Sequence, residues 1–180
     1  VDANPNSGVT VLFDNLYFHG TADSGSTDGG DSSGTGEVGS APTPTADAAG
    51  VLSIFSDAYT DLEGTNFNPG WGQTGTVATD DGVLTYSNLN YQGTEFSGAQ
   101  DVSGYESVHV DFYSADAQTL KFFLVGAGET AYDLPVAANT WVSVDIPLTA
   151  FTGVDLTQVI QFKVDANPNS GVTVLFDNLY

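Results

Sequence analysis

The side chains able to do chemistry in this chain are few in kind and mostly acidic. There are 23 Asp and Glu, two Lys (Lys121 and Lys163), two His (His19 and His109), and neither Arg nor Cys. Nucleophilic catalysis has little to work with. No Ser sits in a nucleophile elbow between a strand and a helix, no thiol exists, and only His109 falls on a predicted strand. Paired carboxylates can hydrolyse glycosides, but in so acidic a chain some pair always exists, so the pattern singles none out. Hard cations suit the composition better than zinc or iron. Calcium takes oxygens from carboxylates, carbonyls and water, whereas the softer metals want nitrogen or sulfur ligands that are scarce here. Asp23, Asp28 and Asp31 match no known calcium-loop spacing.

The remaining chemistry is stacking. Sugar rings present apolar C–H faces that lie against aromatic π-faces, with polar groups beside them for the hydroxyls. Trp71 sits in the Gly/Pro-flanked stretch Asn68-Pro-Gly-Trp-Gly-Gln73, an irregular setting that presents a ring. Tyr91 and Gln92 follow the Asn88-Leu-Asn90 turn. His109, Asp111 and Tyr113 share one face of a predicted strand, and Lys121 and Phe123 share one face of the next. Together these are expected to line a concave sheet, with Trp71, Tyr91, His109, Asp111 and Tyr113 as ligand contacts. The competing structural reading is that the core absorbs most aromatics, and Trp141 is expected there.

The elements that must position these residues read as short strands. Candidates are 51–55, 75–79, 83–87, 91–96, 105–113, 119–125, 131–134, 141–146, 159–164 and 172–179. In 105–113, Val108, Val110 and Phe112 alternate with His109, Asp111 and Tyr113, and Val142, Val144 and Ile146 do the same with Trp141, Ser143 and Asp145. Asp80-Asp81-Gly82 marks a hairpin turn. Helical periodicity is missing apart from one turn near Asp155–Gln158. The prediction is all-β: a two-sheet antiparallel β-sandwich of jelly-roll type over residues 46–180.

Ahead of it, residues 18–45 are almost pure Gly, Ser, Thr, Asp and Pro, a composition that reads as a flexible linker. Ahead of that, Val1–Tyr17 reads VDANPNSGVTVLFDNLY, letter for letter the sequence of Val164–Tyr180. The chain therefore looks like one repeat preceded by the closing strand of an identical neighbour.

Net charge is −21. Phosphate backbones and anionic headgroups are repelled by such a surface, which excludes nucleic-acid and peripheral-membrane roles. No apolar run approaches membrane-spanning length, so no insertion is expected.

From Val51 onward the chain resembles the jelly-roll carbohydrate-binding modules attached to bacterial, often marine, polysaccharide-degrading enzymes. The likeness rests on Trp141-Val-Ser-Val-Asp-Ile-Pro-Leu148 with Phe151, on Val159-Ile-Gln-Phe162, and on Phe176-Asp-Asn-Leu-Tyr180. Ser53-Ile-Phe-Ser-Asp-Ala-Tyr59 and Asn68-Pro-Gly-Trp-Gly-Gln73 add to it. The resemblance implies a non-catalytic module that binds glycans through one sheet or its loops. It also implies a structural calcium between the first and last strands, with Asp57 and Asp177 as ligands and Asp61 and Glu63 nearby. The functional expectation is a secreted or cell-surface module, repeated in tandem, that captures extracellular polysaccharide. The alternative is a structural repeat or filament subunit, joined to neighbouring copies through the duplicated terminal strand.

Overall fold

The computed structural model describes residues 38–180, which fall within one compact unit, Gly36–Tyr180. The duplicated segment Val1–Tyr17 and the linker up to residue 37 lie outside the described residues. Nine strands form: β1 Thr76–Asp80, β2 Val83–Leu89, β3 Tyr91–Gln100, β4 Ser107–Tyr113, β5 Lys121–Gly126, β6 Gly128–Asp133, β7 Trp141–Pro147, β8 Val159–Asp165 and β9 Val172–Asp177, with apolar alternation clearest in β4, β8 and β9. Two single 3-10 turns, Ala48–Gly50 and Leu148–Ala150, complete the secondary structure. No helix among the described residues is long and apolar enough to cross a membrane.

The strands form two sheets, one ordered β1-β2-β9-β4-β7 and the other β3-β8-β5-β6, with every strand pair antiparallel. The β1–β2 hairpin closes through Asp81 (φ 50°) and Gly82 (φ 73°), the left-handed pair that suits the right-handed twist of its strands. Each sheet turns its alternate apolar residues inward. Leu84, Tyr86, Val110, Phe112, Ile146, Val174 and Phe176 come from the five-stranded sheet, and Phe122, Leu124, Val159, Phe162 and Val164 from the other. Phe122 stacks on Phe162 at 5.2 Å, and the Tyr86 hydroxyl bonds Thr94 Oγ1 at 3.0 Å across the two layers. Both inner faces are thereby filled.

The expected first strand, 51–55, does not form as a ladder. Ser53 and Phe55 make only isolated bridges, because the chain crosses the end of β9 and loops back at Asp61. The amides of Ile54 and Phe55 both donate to Leu179 O, and Leu179 N returns a bond to Phe55 O. The described end of the predicted linker runs along the five-stranded sheet. Asn178 Nδ2 donates to Pro42 O at 2.8 Å, Trp141 Nε1 donates to Gly39 O, and Tyr59 OH donates to Ala46 O. Side chains of the sandwich thus supply the partners that a Gly/Ser/Thr/Pro segment cannot supply for itself.

Candidate functional site

On the outer face of the four-stranded sheet, cross-strand registry assembles three rows of side chains. Gly93, Lys163, Phe123 and Ala131 form the middle row; Tyr91, Asp165, Lys121 and Asp133 flank it on one side. Glu95, Gln161, Val125 and Glu129 flank it on the other. Both lysines of the chain therefore stand on this face. Trp71 arrives from the loop before β1 and lays its ring on Gly93, where a Cβ would fall 1.9 Å from Trp71 Cζ3. Only glycine leaves room for the ring.

Hydrogen bonds to Trp71 help to hold that loop. Trp71 Nε1 donates to Glu95 Oε1 at 3.0 Å, Tyr91 OH donates to Trp71 O at 2.8 Å, and Trp71 N donates to Gln73 Oε1 at 2.8 Å. Lys163 Nζ pairs with Glu129 Oε2 at 3.0 Å and lies 3.9 Å from the centre of the Phe123 ring. Between Trp71, Tyr91, Gln161, Lys163, Asp165 and Glu129 lies a hollow of about 340 Å³. Flat aromatic surface with donors and acceptors around it is the chemistry that receives a pyranose ring and its hydroxyls.

Of the five sequence-predicted contacts, only Trp71 and Tyr91 meet here. His109, Asp111 and Tyr113 stand on β4, which belongs to the five-stranded sheet, so they face the opposite side of the sandwich. The expectation that the β4 and β5 sets share one concave sheet is corrected: alternation gives the side of a strand, not the sheet it joins. Gln161, Lys163 and Asp165 were missed, although their alternation with Phe162 and Val164 along β8 carried the signal.

His109 and Asp111 hold the fold together. The His109 ring stacks on Tyr180 at 4.7 Å, and its Nδ1 lies 2.8 Å from Asp145 Oδ1. Its Nε2 lies 3.4 Å from Asp111 Oδ1. Asp111 is 1% exposed. It accepts bonds from Ser143 Oγ and, at 2.8 Å, from Asn178 Nδ2. Burial opposes the charged forms of both, but the two carboxylates around His109 raise its pKa, and the bonds from His109, Ser143 and Asn178 lower that of Asp111. Both oxygens of Asp111 are thus engaged within the sandwich, on the sheet opposite Trp71 and Tyr91. Ser143 Oγ lies 3.5 Å from His109 Nε2, but it gives its proton to Asp111, not to the imidazole. A cavity of about 560 Å³ nearby runs under Pro42–Ala46 onto Phe96, Leu124 and Phe162. Glu106, His109, Asp111, Ser143 and Asp145 line it as well, so its walls are mixed.

Tyr113 and Trp141 are half-buried neighbours on the outer face of the five-stranded sheet, ring centres 6.0 Å apart. Trp141, expected in the core, points outward.

Asp57 and Asp177 lie at a third place. The Asp57 carboxylate packs against Gly82, where a Cβ would sit 2.0 Å from its Oδ2. Asp177 has its pKa raised by burial and then by the negative charges of Asp57, Asp111 and Asp61, against the amide bond it accepts from Asn178. Asp61 already accepts from Ser53 Oγ and Ser56 N. The donors are all hard oxygens, as calcium requires. Among the described residues, however, no group of three acidic or histidine side chains is arranged to hold a metal. Carbonyls and water must complete any coordination shell built on Asp57 and Asp177.

No family model matches the sequence, and no curated protein matches it. Solved structures do. A carbohydrate-binding module of family 29 aligns with TM-score 0.53 and 14% identity over 71% of this chain and 84% of its own. A variant of such a module complexed with mannohexaose aligns with TM-score 0.53 and 15% identity, covering 71% and 87%. Another, complexed with cellulohexaose, aligns with TM-score 0.51 and 14% identity, covering 71% and 87%. At such identities the likeness is one of fold: this chain shares the two-sheet all-β sandwich of those structures.

Proposed function

We propose that the protein is a non-catalytic carbohydrate-binding module. In this reading the glycan lies across the outer face of the four-stranded sheet, on Trp71 and Tyr91, with Lys163, Gln161 and Glu129 beside it. The observation that carries the reading is Trp71 held flat against Gly93 beside Tyr91 over an open polar hollow. Glu95, Asp165, Asp133 and Glu129 outnumber the two lysines on that face, which favours a neutral polysaccharide over a uronate or sulfated one. The solved structures of like fold that hold mannohexaose and cellulohexaose support the same ligand class.

Calorimetry against mannohexaose, cellulohexaose, laminarin, agarose and alginate tests this. Heat with a neutral glycan, lost in Trp71→Ala, is the expected result. No heat with any of the five, or binding untouched by Trp71→Ala, overturns the reading.

The setting we infer is a secreted or surface-exposed protein carrying the module in tandem. The identity of Val1–Tyr17 with Val164–Tyr180 supports this. Adjacent copies raise avidity by holding sites at high effective concentration. A calcium ion at Asp57 and Asp177 belongs to the same proposal.

One observation favours the second, structural reading. The duplicated sequence contains β9, which lies between β2 and β4 and buries Val172, Val174 and Phe176. A strand so placed is one whose exchange between copies would join units head to tail. Regular fibres in electron micrographs, dispersed when the strand carries Phe176→Asp, would favour it over glycan capture.

A further inference from the structure

The outer face of the five-stranded sheet carries a second aromatic hollow that the first site does not use. Tyr113 and Trp141 are directly paired across β4 and β7, and Leu175 of β9 pairs with Tyr113 on its other side. The two rings are inclined at 50° with centres 6.0 Å apart, which makes a shallow V of two half-buried rings. The indole N–H donates to Gly39 O, so the ring orientation is held by the chain leading into the sandwich, and Val38 and Gly39 line the same hollow. Around the V lies a hollow of about 760 Å³ whose rim includes Asp116, Asn139, Thr140 and Thr173.

That rim is built. Asn139 stands at φ 60° with its amide on Ser114 O at 3.0 Å. Asp116 Oδ1 accepts from Thr173 N at 3.2 Å and from Ser114 Oγ at 3.1 Å. Asn139 and Thr140 are exposed, and among the described residues their side-chain amide and hydroxyl groups have no hydrogen-bond partner, which suits them to sugar hydroxyls.

We propose that this V is a second glycan-binding site, taking a neutral pyranose ring between Tyr113 and Trp141. The ring type follows from the surroundings: apolar stacking surface, amide and hydroxyl donors, one acid, and no cation, since both lysines stand on the other sheet. The proposal rests on the same chemistry as the first face, but not on the same residues. Packed sheets lie about 10 Å apart with side chains on both outer surfaces, so one saccharide cannot touch both sites. A single module is then bivalent, and a monomer can bridge two polysaccharide chains.

The chain's only two tryptophans divide between the two sites, so each reports on its own. In Trp71→Phe the sole indole is Trp141; in Trp141→Phe it is Trp71. Both variants, checked for native circular dichroism, are titrated with mannohexaose, cellulohexaose and laminarihexaose. The expected result is a saturable shift of emission in both, with two ligands per wild-type chain by calorimetry. Adding Tyr113→Ala should weaken the Trp141 response at least tenfold and leave the Trp71 response unchanged. An unmoved Trp141 emission at concentrations that saturate Trp71, or indifference to Tyr113→Ala, overturns the second site and leaves the first standing. Silence from both tryptophans across the three sugars removes both.

Discussion

Trp71 lies on the Cα of Gly93, so that a methyl group at position 93 would occupy the space of the indole at 1.9 Å from Cζ3. The platform depends on a residue with no side chain. Gly93 is buried on β3, paired with Lys163, and its neighbours Gln92 and Thr94 point inward. Nothing in the core presses on that spot. Gly93→Ala is therefore expected to displace the loop-borne ring rather than unfold the sheet. We expect glycan affinity to fall at least about tenfold, with Tm changed by less than about 4 °C, the equivalent of roughly 1 kcal/mol for a domain of this size. Calorimetry and thermal melts of the same sample check both halves.

Lys163 is held by a half-exposed carboxylate, Glu129, and by the face of Phe123. Partly exposed ion pairs and cation–π contacts each contribute about 1 kcal/mol or less. Lys163→Ala should leave the fold nearly as stable as before while removing the donor that stands at the middle of the face. The expected outcome is a several-fold loss of glycan affinity with little change in melting. A loss of stability with unchanged affinity would mean that Lys163 serves the sheet alone.

The His109 cluster predicts a pH dependence. Its folded pKa stands above the unfolded value, so the folded chain binds this proton more tightly. The stabilisation is complete below about pH 6.5, the unfolded value, and is lost as pH rises through the folded one. Asp177, also raised, acts in the same sense in its own acidic range. Asp111, lowered, acts in the opposite sense: its contribution is present above about pH 4 and is lost as pH falls through its folded value. Melting temperature should therefore peak on the acid side of neutrality and decline toward pH 8. In His109→Gln the decline between pH 6 and 8 should flatten; a profile identical to wild type would dissociate the imidazole from it.

Asp177 decides the calcium question. Burial and three neighbouring carboxylates make its charge unfavourable. A bound cation would offset that repulsion. Millimolar calcium is expected to raise the wild-type Tm by several degrees, and Asp177→Asn should abolish the rise. Equal melting in calcium and in chelator would argue that Asp57 and Asp177 hold no ion.

Much of the architecture was legible because each strand carries its own period. Val108-His109-Val110-Asp111-Phe112 states in five letters which side meets the core, and the Asp-Gly turn states where β1 returns as β2. Nine of the ten expected strands formed. The exception, 51–55, has an apolar sequence but no partner strand to lie along, only the end of β9. The site was less legible. Trp71 was marked by its Gly/Pro-flanked loop and Tyr91 by the turn before it. Their convergence depends on Gly93, which reads as an unremarked gap in β3.

What the sequence determined by itself was local: strand periods, the hairpin glycine, the acidic balance, the absence of cysteine chemistry, and the duplicated terminal peptide. These follow from φ/ψ preference, side-chain alternation and charge, which act between near neighbours. Only the tertiary structure decided which sheet each strand joined. That choice sent His109, Asp111 and Tyr113 to one side and Trp71, Tyr91, Phe123 and both lysines to the other. The reason is geometric: alternation has a period of two whichever sheet a strand enters, whereas membership is settled by long-range pairing and by how two curved layers fill one core.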